Sequence, residues 1–408
     1  MLQARTIEII KSTVPVLEVH GEAITSRFYE MLFEKHPELL NIFNHANQKK
    51  GRQQAALANA VYAAAANIDK LETIIPVVKQ IAHKHRSLGV KPEHYPVVGE
   101  NLLLAIKDVL GSAATDEIIN AWAEAYGVIA DAFIGVELEM YQEAERQKGG
   151  WEGFRSFVVA RKVEESSVIT SFYLKPQDGG EIADYQPGQY VSVRMEIPGE
   201  KNTHIRQYSL SDSPGKEHYR ISVKKESGLN SPDGVVSVYL HEGVKEGDIL
   251  HLSAPAGDFY LDMHSDKPIV LISGGVGLTP MISMLKSAAE KQPEREVTFI
   301  HAAINGQAHA LKEEVKKIAE DAENISTYFV YEKPLPEDFG YDQTGYIDVS
   351  WLRKVLPLNK QAEYYFCGPI PFMRVINHAL QQLNFPKENI HFEFFGPASD
   401  LEAEKIKA

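Results

Sequence analysis

The chain has 408 residues, 44% of them hydrophobic, which is enough for two or three domains with full cores. A formal net charge of −14 speaks against a nucleic-acid footprint or a polybasic membrane arm. The single cysteine, Cys367, excludes an internal disulfide and any multi-cysteine metal or iron–sulfur centre, as expected in a reducing cytosol.

Arg5, Glu8 and Lys11 break any apolar run at the N-terminus, so no secretory signal is read there. Residues 27–43, RFYEMLFEKHPELLNIF, place Tyr29 in a helix that stops before Pro37, and a short turn leads on to Phe43. Residues 51–67, GRQQAALANAVYAAAAN, put Gln53, Leu57, Val61 and Ala64 on one helical face, with small residues that permit close approach. In residues 73–88, TIIPVVKQIAHKHRSL, the spacing predicts a helix from about Pro76 with Val78, Ile81, His85 and Leu88 on one apolar stripe. His83 turns about 200° away from His85, onto a polar face with Lys79 and Ser87, so the two cannot clamp one metal. Taken alone, His85 reads as a core histidine hydrogen-bonded to a neighbour. A haem ligand would need an acceptor behind its second ring nitrogen and suitable groups on the opposite helices. Residues 92–106, PEHYPVVGENLLLAI, set Tyr95 just before another apolar helix. A last helical stripe carries Trp122, Tyr126, Ile129, Phe133, Val136 and Met140, with Glu137 on its flank; alone, that carboxylate reads as a solvated edge.

Near residue 150 the period changes to two, as in Val191, Val193, Met195 and Ile197, then Ile221 and Val223. Gly149-Gly150 reads as a hinge. The expected division is a helical domain over 1–147, a linker over 148–153, a strand-rich domain over 154–265 and an α/β domain over 266–408. The uncharged run PIVLISGGVGLTPMISML, residues 268–285, touches the lower length of a membrane span. Its glycines and Pro280 read instead as strand, tight turn and helix start. Strands and helices then alternate to the end, which implies a parallel sheet with covering helices. In SGGVGLTP, the glycines would let backbone approach a pyrophosphate at a helix N-terminus.

The HPELLNIF turn, the Gln53/Leu57 pair and KHRSLGVKPEHY make residues 1–145 resemble the globin half of the flavohaemoglobins. The motifs PGQY, RQYS, SPDGVVSVYLH, APAGDF, SGGVGLTP, CGP and FEFFGP, in that order, make residues 152–400 resemble the ferredoxin-reductase-like flavoenzymes. The resemblance implies an all-α globin domain, an antiparallel β-barrel FAD domain and an α/β parallel-sheet nicotinamide domain. It makes His85 the axial ligand of a b-type haem iron, with Phe43 packed on the haem, Lys84 near it, and Tyr29, Gln53 and Leu57 on the distal side. Tyr95 and Glu137 would bond the far side of the His85 ring, giving it imidazolate character that favours oxygen activation over storage.

By the same resemblance Arg206 of the RQYS motif holds flavin phosphate and Gln207 follows it. Tyr208 packs on the isoalloxazine ring, and Ser209 bonds near its reactive nitrogen. Tyr190 and the backbone of Gly234, Val235, Val236 and Ser237 take the rest of FAD. Gly274, Gly275, Val276, Gly277, Leu278 and Thr279 receive the nicotinamide dinucleotide, and Cys367, Gly368 and Pro369 face its nicotinamide. Glu393, Phe394, Phe395, Gly396 and Pro397 close over the flavin. HAAINGQ, residues 301–307, lacks an arginine for a 2′-phosphate and so favours NADH over NADPH.

The implied activity is nitric oxide dioxygenation, with electrons passing from NAD(P)H through FAD to haem and nitrate as product. It would act on the small molecules NO and O2 in the cytoplasm and detoxify NO. The chain would be a monomer with no membrane span, nucleic acid or obligatory protein partner. Two alternatives stand beside it: an oxygen-storing or sensing globin with a fused ferric-haem reductase, and a reductase serving a separate acceptor.

Overall fold

Ile10, Leu17, Ile24, Phe28 and Leu32 fall at helical spacing along α1 (Ala4–Lys35), and all are buried. The helix stops at Lys35 because Pro37 cannot continue it, and the His36 N–H closes the last turn on the Leu32 carbonyl. Among the described residues of this part four more α-helices follow: α2 (Arg52–Ala66), α3 (Ile75–Leu88), α4 (His94–Leu110) and α5 (Asp116–Arg146). Thr115 caps α5 by accepting the Ile118 N–H at 3.3 Å, and Asp116 and Glu117 complement the helix dipole. Helices α1, α2, α4 and α5 share a core that includes Leu102, Ala105, Ile106, Trp122 and Ala125.

The computed structural model describes residues 2–43, 48, 51–226, 234–357, 361–396 and 401. Contacts gather two units, residues 1–155 with 192–206, and residues 156–191 with 207–408. In the first unit α3 departs from the expected single apolar stripe. Ser87, expected on a polar face, is fully buried and accepts a hydrogen bond from the Ser192 hydroxyl at 3.0 Å. Covered on two sides, α3 buries residues that a one-stripe pattern assigns to solvent.

β1 (Phe154–Glu164), β2 (Ile169–Pro176), β3 (Tyr190–Met195), β4 (His204–Ser209), β5 (Tyr219–Lys224) and β6 (Ile249–Ser253) form a sheet in the order β4-β3-β6-β1-β2-β5. The β1–β2 and β2–β5 pairs are antiparallel, and α6 (Val235–Glu242) lies between β5 and β6 in sequence. The period of two marks the strands without marking exposure, since consecutive residues such as Ile221, Ser222 and Val223 are all buried. Buried hydroxyls on these strands satisfy each other: Ser222 lies 2.7 Å from Ser171 and 2.8 Å from Ser211.

Arg220 on β5 is also buried, with its side chain only 3% exposed, and pairs with Glu314 at 2.8 Å. Lys286 joins Glu314 to Asp212, at 2.6 Å from each. Burial alone would raise the Asp212 carboxyl, but the His218 hydrogen bond and the charges of Arg220 and Lys286 hold it well below the ordinary range. A depressed folded value means that its stabilising contribution is full above the unfolded carboxyl range and is lost as pH falls below about 4. Replacing Glu314 with glutamine leaves Arg220 short of its counter-charge. We expect the unfolding midpoint in urea to drop by the equivalent of about 2 kcal/mol.

β7 (Ile269–Gly274), β8 (Val297–Ala303), β9 (Ile325–Tyr331), β10 (Gln343–Thr344), β11 (Glu363–Cys367) and β12 (Ile390–Glu393) make a parallel sheet in the order β10-β9-β8-β7-β11-β12. Helices α7 (Leu278–Lys291), α8 (Lys312–Glu320), α9 (Val349–Val355) and α10 (Ile370–Gln382) cover it. Leu271 and Phe299 meet Met281, Leu285 and Val315 on one face. Val270, Ile272 and Phe366 meet Leu352, Ile376 and Leu380 on the other, which is why these strands read as unbroken apolar runs. The uncharged run 268–285 is thus β7, a glycine turn and α7; among the described residues no helix is long and apolar enough to cross a membrane.

Candidate functional site

In the helical unit, three helices bring one polar cluster together. His85 stands in the last turn of α3, where Gly89 takes a left-handed conformation and the Val90 N–H returns to the His85 carbonyl at 3.0 Å. Its Nδ1 lies 2.7 Å from Oε1 of Glu137 on α5. The Tyr95 hydroxyl, from the first turn of α4, donates to the same oxygen at 2.6 Å and lies 3.3 Å from Nδ1. A carboxylate only accepts, so Nδ1 carries the proton and Nε2 keeps its lone pair free for a metal.

Glu137 is 2% exposed rather than a solvated edge. Burial, then the hydrogen bond and charge of Glu137, push the Tyr95 hydroxyl far above its ordinary value, so it stays a donor. Phe133, one helical turn before Glu137, sets its ring 6.0 Å from His85 and 6.3 Å from Tyr95. Tyr126, two turns further back, donates to the Tyr95 carbonyl at 2.6 Å and reaches it only because Gly99 has no side chain; a Cβ there would collide with the Tyr126 ring. Tyr126, Phe133 and Glu137 share one face of α5, whereas the sequence alone sets Tyr126 and Phe133 on an apolar stripe and Glu137 on its solvated flank. Although Ala82 and Arg86 around it are buried, 32% of the His85 side chain is uncovered. A fixed tautomer, a free Nε2 and uncovered ring surface suit a histidine that ligates haem iron. Lys84 is half-buried beside it, and its carbonyl accepts the Ser87 hydroxyl at 2.8 Å.

A second cluster forms around Tyr29, which is 5% exposed and held well above its ordinary value by burial, with the Gln53 and Gln48 side chains acting against that shift. Gln48 was missed in the sequence, since it lies outside any periodic segment; its Oε1 accepts from Gln54 at 3.1 Å. Phe43 meets Tyr29 edge-on at 5.7 Å, and Leu57 packs on the same core.

On the strands, Arg206, Gln207 and Tyr208 are half-buried along β4 and Ser209 is buried. Tyr190 opens β3 as a bridge partner of Ala256. Gly234 caps α6, so Val235, Val236 and Ser237 supply its first N–H groups; the Ser237 hydroxyl donates to the Gly234 carbonyl and accepts the Glu226 N–H, both at 3.1 Å.

In the parallel sheet β7 stands between β8 and β11, so chain order reverses there, and a crevice outside the strands' carboxyl ends is the expected ligand site. Gly274 ends β7, Gly275, Val276 and Gly277 form the turn, and Leu278 and Thr279 begin α7. Gly277 is pressed so closely on the Cys367 carbonyl that any Cβ would collide with it. Gly368 and Gly274 likewise meet backbone to backbone beside the Phe372 ring. A nucleotide phosphate fits such bare backbone at a helix N-terminus. Pro369 caps α10. The Cys367 thiol is fully buried and is pushed well above its ordinary value, first by burial and then by the charge of Glu393, its register partner on β12. Phe394, Phe395 and Gly396 follow β12, and Pro397 lies outside the described residues.

Comparison with known proteins agrees with this three-part layout. A globin model matches residues 26–133, an oxidoreductase FAD-binding domain residues 156–260, and an oxidoreductase NAD-binding domain residues 271–378. The flavohemoprotein of Bacillus cereus is 61% identical over 405 residues, 98% of this chain and 100% of that one. The chain belongs to the flavohaemoglobins. Like them it is an oxidoreductase, with a globin domain, an antiparallel-sheet FAD-binding domain and a parallel-sheet NAD-binding domain. Among solved structures it is similar to the flavohemoglobin of Malassezia yamatoensis, determined with bound FAD and heme, at a TM-score of 0.85 and 27% identity over 97% of this chain and 100% of that one. It is also similar to the FAD/NAD binding domain of nitric oxide dioxygenase from Vibrio cholerae, at a TM-score of 0.55 and 38% identity over 60% of this chain and 99% of that one.

Proposed function

We propose that the chain is a nitric oxide dioxygenase that uses NADH to turn NO and O2 into nitrate, acting as a cytoplasmic monomer that removes NO. Its cofactors are haem, FAD and a nicotinamide dinucleotide, held in domains over 1–147, 154–265 and 266–408, joined by a linker over 148–153. The carrying observation is the Glu137 carboxylate, buried at 2% exposure and 2.7 Å from His85 Nδ1. A buried carboxylate acceptor raises the basicity of the histidine, which favours oxygen activation over storage.

Bound haem supplies the iron at which the gases react, and FAD turns a two-electron hydride donor into a source of single electrons. The residues of the chain do the rest. His85 holds the iron, while Glu137 and Tyr95 fix its tautomer and increase its donor strength. The Tyr29 hydroxyl, kept protonated by burial and set near Gln53 and Gln48, would donate to an oxygen that gains negative charge. Phe43 and Leu57 keep that side apolar, and Lys84 tunes the potential by its charge. Arg206 and the start of α6 bind the FAD phosphates, with Gln207 beside Arg206. Tyr208, Ser209 and Tyr190 orient the flavin, and Glu393 to Gly396 close over it. The glycine turn and the Cys367–Pro369 segment seat the dinucleotide.

Atoms and electrons balance as two NO, two O2 and one NADH giving two nitrate, NAD+ and one proton. The test is NO loss in aerated buffer with matching nitrate and half as much NADH oxidised. NADH oxidation without NO loss would overturn the proposal. Glu137→Gln keeps the shape but removes the charge, so we expect NO turnover to fall by about 10–100-fold with haem still bound. The iron–histidine stretching frequency in the Raman spectrum should fall with it.

A further inference from the structure

In doubly wound sheets the adenosine end of the dinucleotide runs to the carboxyl end of the second strand. There an acidic side chain takes the ribose 2′-hydroxyl, or a basic one takes a 2′-phosphate. In this chain that strand is β8, which leads into a turn over residues 305–308. Asn305 closes the turn by accepting the Ala308 N–H at 3.1 Å. The Gly306 N–H, the donor an arriving phosphate would use, instead donates to Asp338 Oδ2 at 3.0 Å. The same oxygen accepts the Leu335 N–H at 2.8 Å. Contact is tight enough that a Cβ on Gly306 would collide with the Asp338 carboxylate.

No Arg or Lys stands anywhere in residues 301–311. The two cations that follow the turn and the next strand have partners of their own: Lys312, whose charge also acts on Asp338, donates to the Phe339 carbonyl at 3.0 Å, and Lys333 pairs with Glu332 at 3.0 Å. Glu337, on the same loop as Asp338, accepts from Gln307 of the turn at 3.5 Å. The Gly306 and Leu335 N–H groups hold the Asp338 carboxyl below its ordinary value, so it is charged at neutral pH.

We propose that Asp338 sets the dinucleotide preference, its carboxylate occupying the backbone donor at the end of β8 and repelling the 2′-phosphate of NADPH. NADH is therefore the electron donor, and the charge that rejects its phosphorylated analogue is a repulsive specificity element. This rests on the nicotinamide reading of the parallel sheet and not on the chemistry of NO.

Calorimetric titration of the full-length holoprotein with ADP-ribose and with 2′-phospho-ADP-ribose tests it. The unsubstituted protein should bind ADP-ribose about tenfold or more tightly than its 2′-phosphate. Asp338→Asn should shrink that ratio to within about threefold, and Asp338→Glu, which keeps the charge, should preserve it. The ratio of kcat/KM values for NADPH and NADH in anaerobic flavin reduction should move in parallel. Equal affinities in the unsubstituted protein, or an unchanged ratio in a folded Asp338→Asn variant, would overturn the role of Asp338 alone. Binding of neither ligand would overturn the nicotinamide reading with it. Should the asparagine variant fail to fold, Asp338→Ser takes its place, and an unchanged ratio there overturns the proposal in the same way.

Discussion

Replacing His85 with alanine should reduce NADH-driven NO consumption by at least about a thousandfold. Reduction of the flavin by NADH should stay within about threefold of normal, since His85 belongs to the helical unit and the dinucleotide residues to the other. The substitution removes the proposed ligand to iron and also a donor to Glu137, whose carboxylate is 2% exposed. A buried carboxylate with only Tyr95 left as donor costs the helical unit about 2–3 kcal/mol. Added imidazole separates the two effects, because it can fill the space, ligate iron and donate to Glu137. Partial recovery of turnover with imidazole would place the loss in ligation. Full NO consumption without imidazole, with haem still bound, would show that His85 is not the ligand.

Gly277→Ala should have the second largest effect, at the other end of the electron path. Its methyl would press on the Cys367 carbonyl, which is main chain and cannot rotate away. Either the glycine turn or the β11–α10 junction must shift, at a cost of about 2–3 kcal/mol, and both border the dinucleotide crevice. The expected result is a roughly hundredfold slower reduction of FAD by NADH in anaerobic stopped flow. FAD content and the haem spectrum should be retained. Normal reduction rates in this variant would show that the crevice between β7 and β11 does not seat the dinucleotide.

Much of this was legible in residue order. The parallel half was read element by element because strands covered on both faces appear as apolar runs, and SGGVGLTP marks the turn between β7 and α7. His85 could be separated from His83 by helical geometry alone. Glu137 could not be interpreted from its own helix, where it flanks an apolar stripe. Its burial follows from α3 and α4 delivering His85 and Tyr95 to it, which is tertiary information. Ser87 failed for the same reason: its cover comes from Ser192, 105 positions away. Gln48 and Asp338 stand where neither period nor motif in the sequence marks a residue, and only their surroundings in the fold reveal them. The flavin and haem roles proposed for Arg206, Tyr208 and Tyr29 rest on family resemblance rather than on spacing.

The most direct single measurement is the isotopic composition of the nitrate formed from unlabelled NO under labelled dioxygen, with the purified haem- and FAD-replete protein and NADH. Dioxygenation puts both atoms of one O2 into each nitrate, so the doubly labelled ion should dominate from the first turnovers. Nitrate carrying a single label, or nitrite in its place, would contradict it.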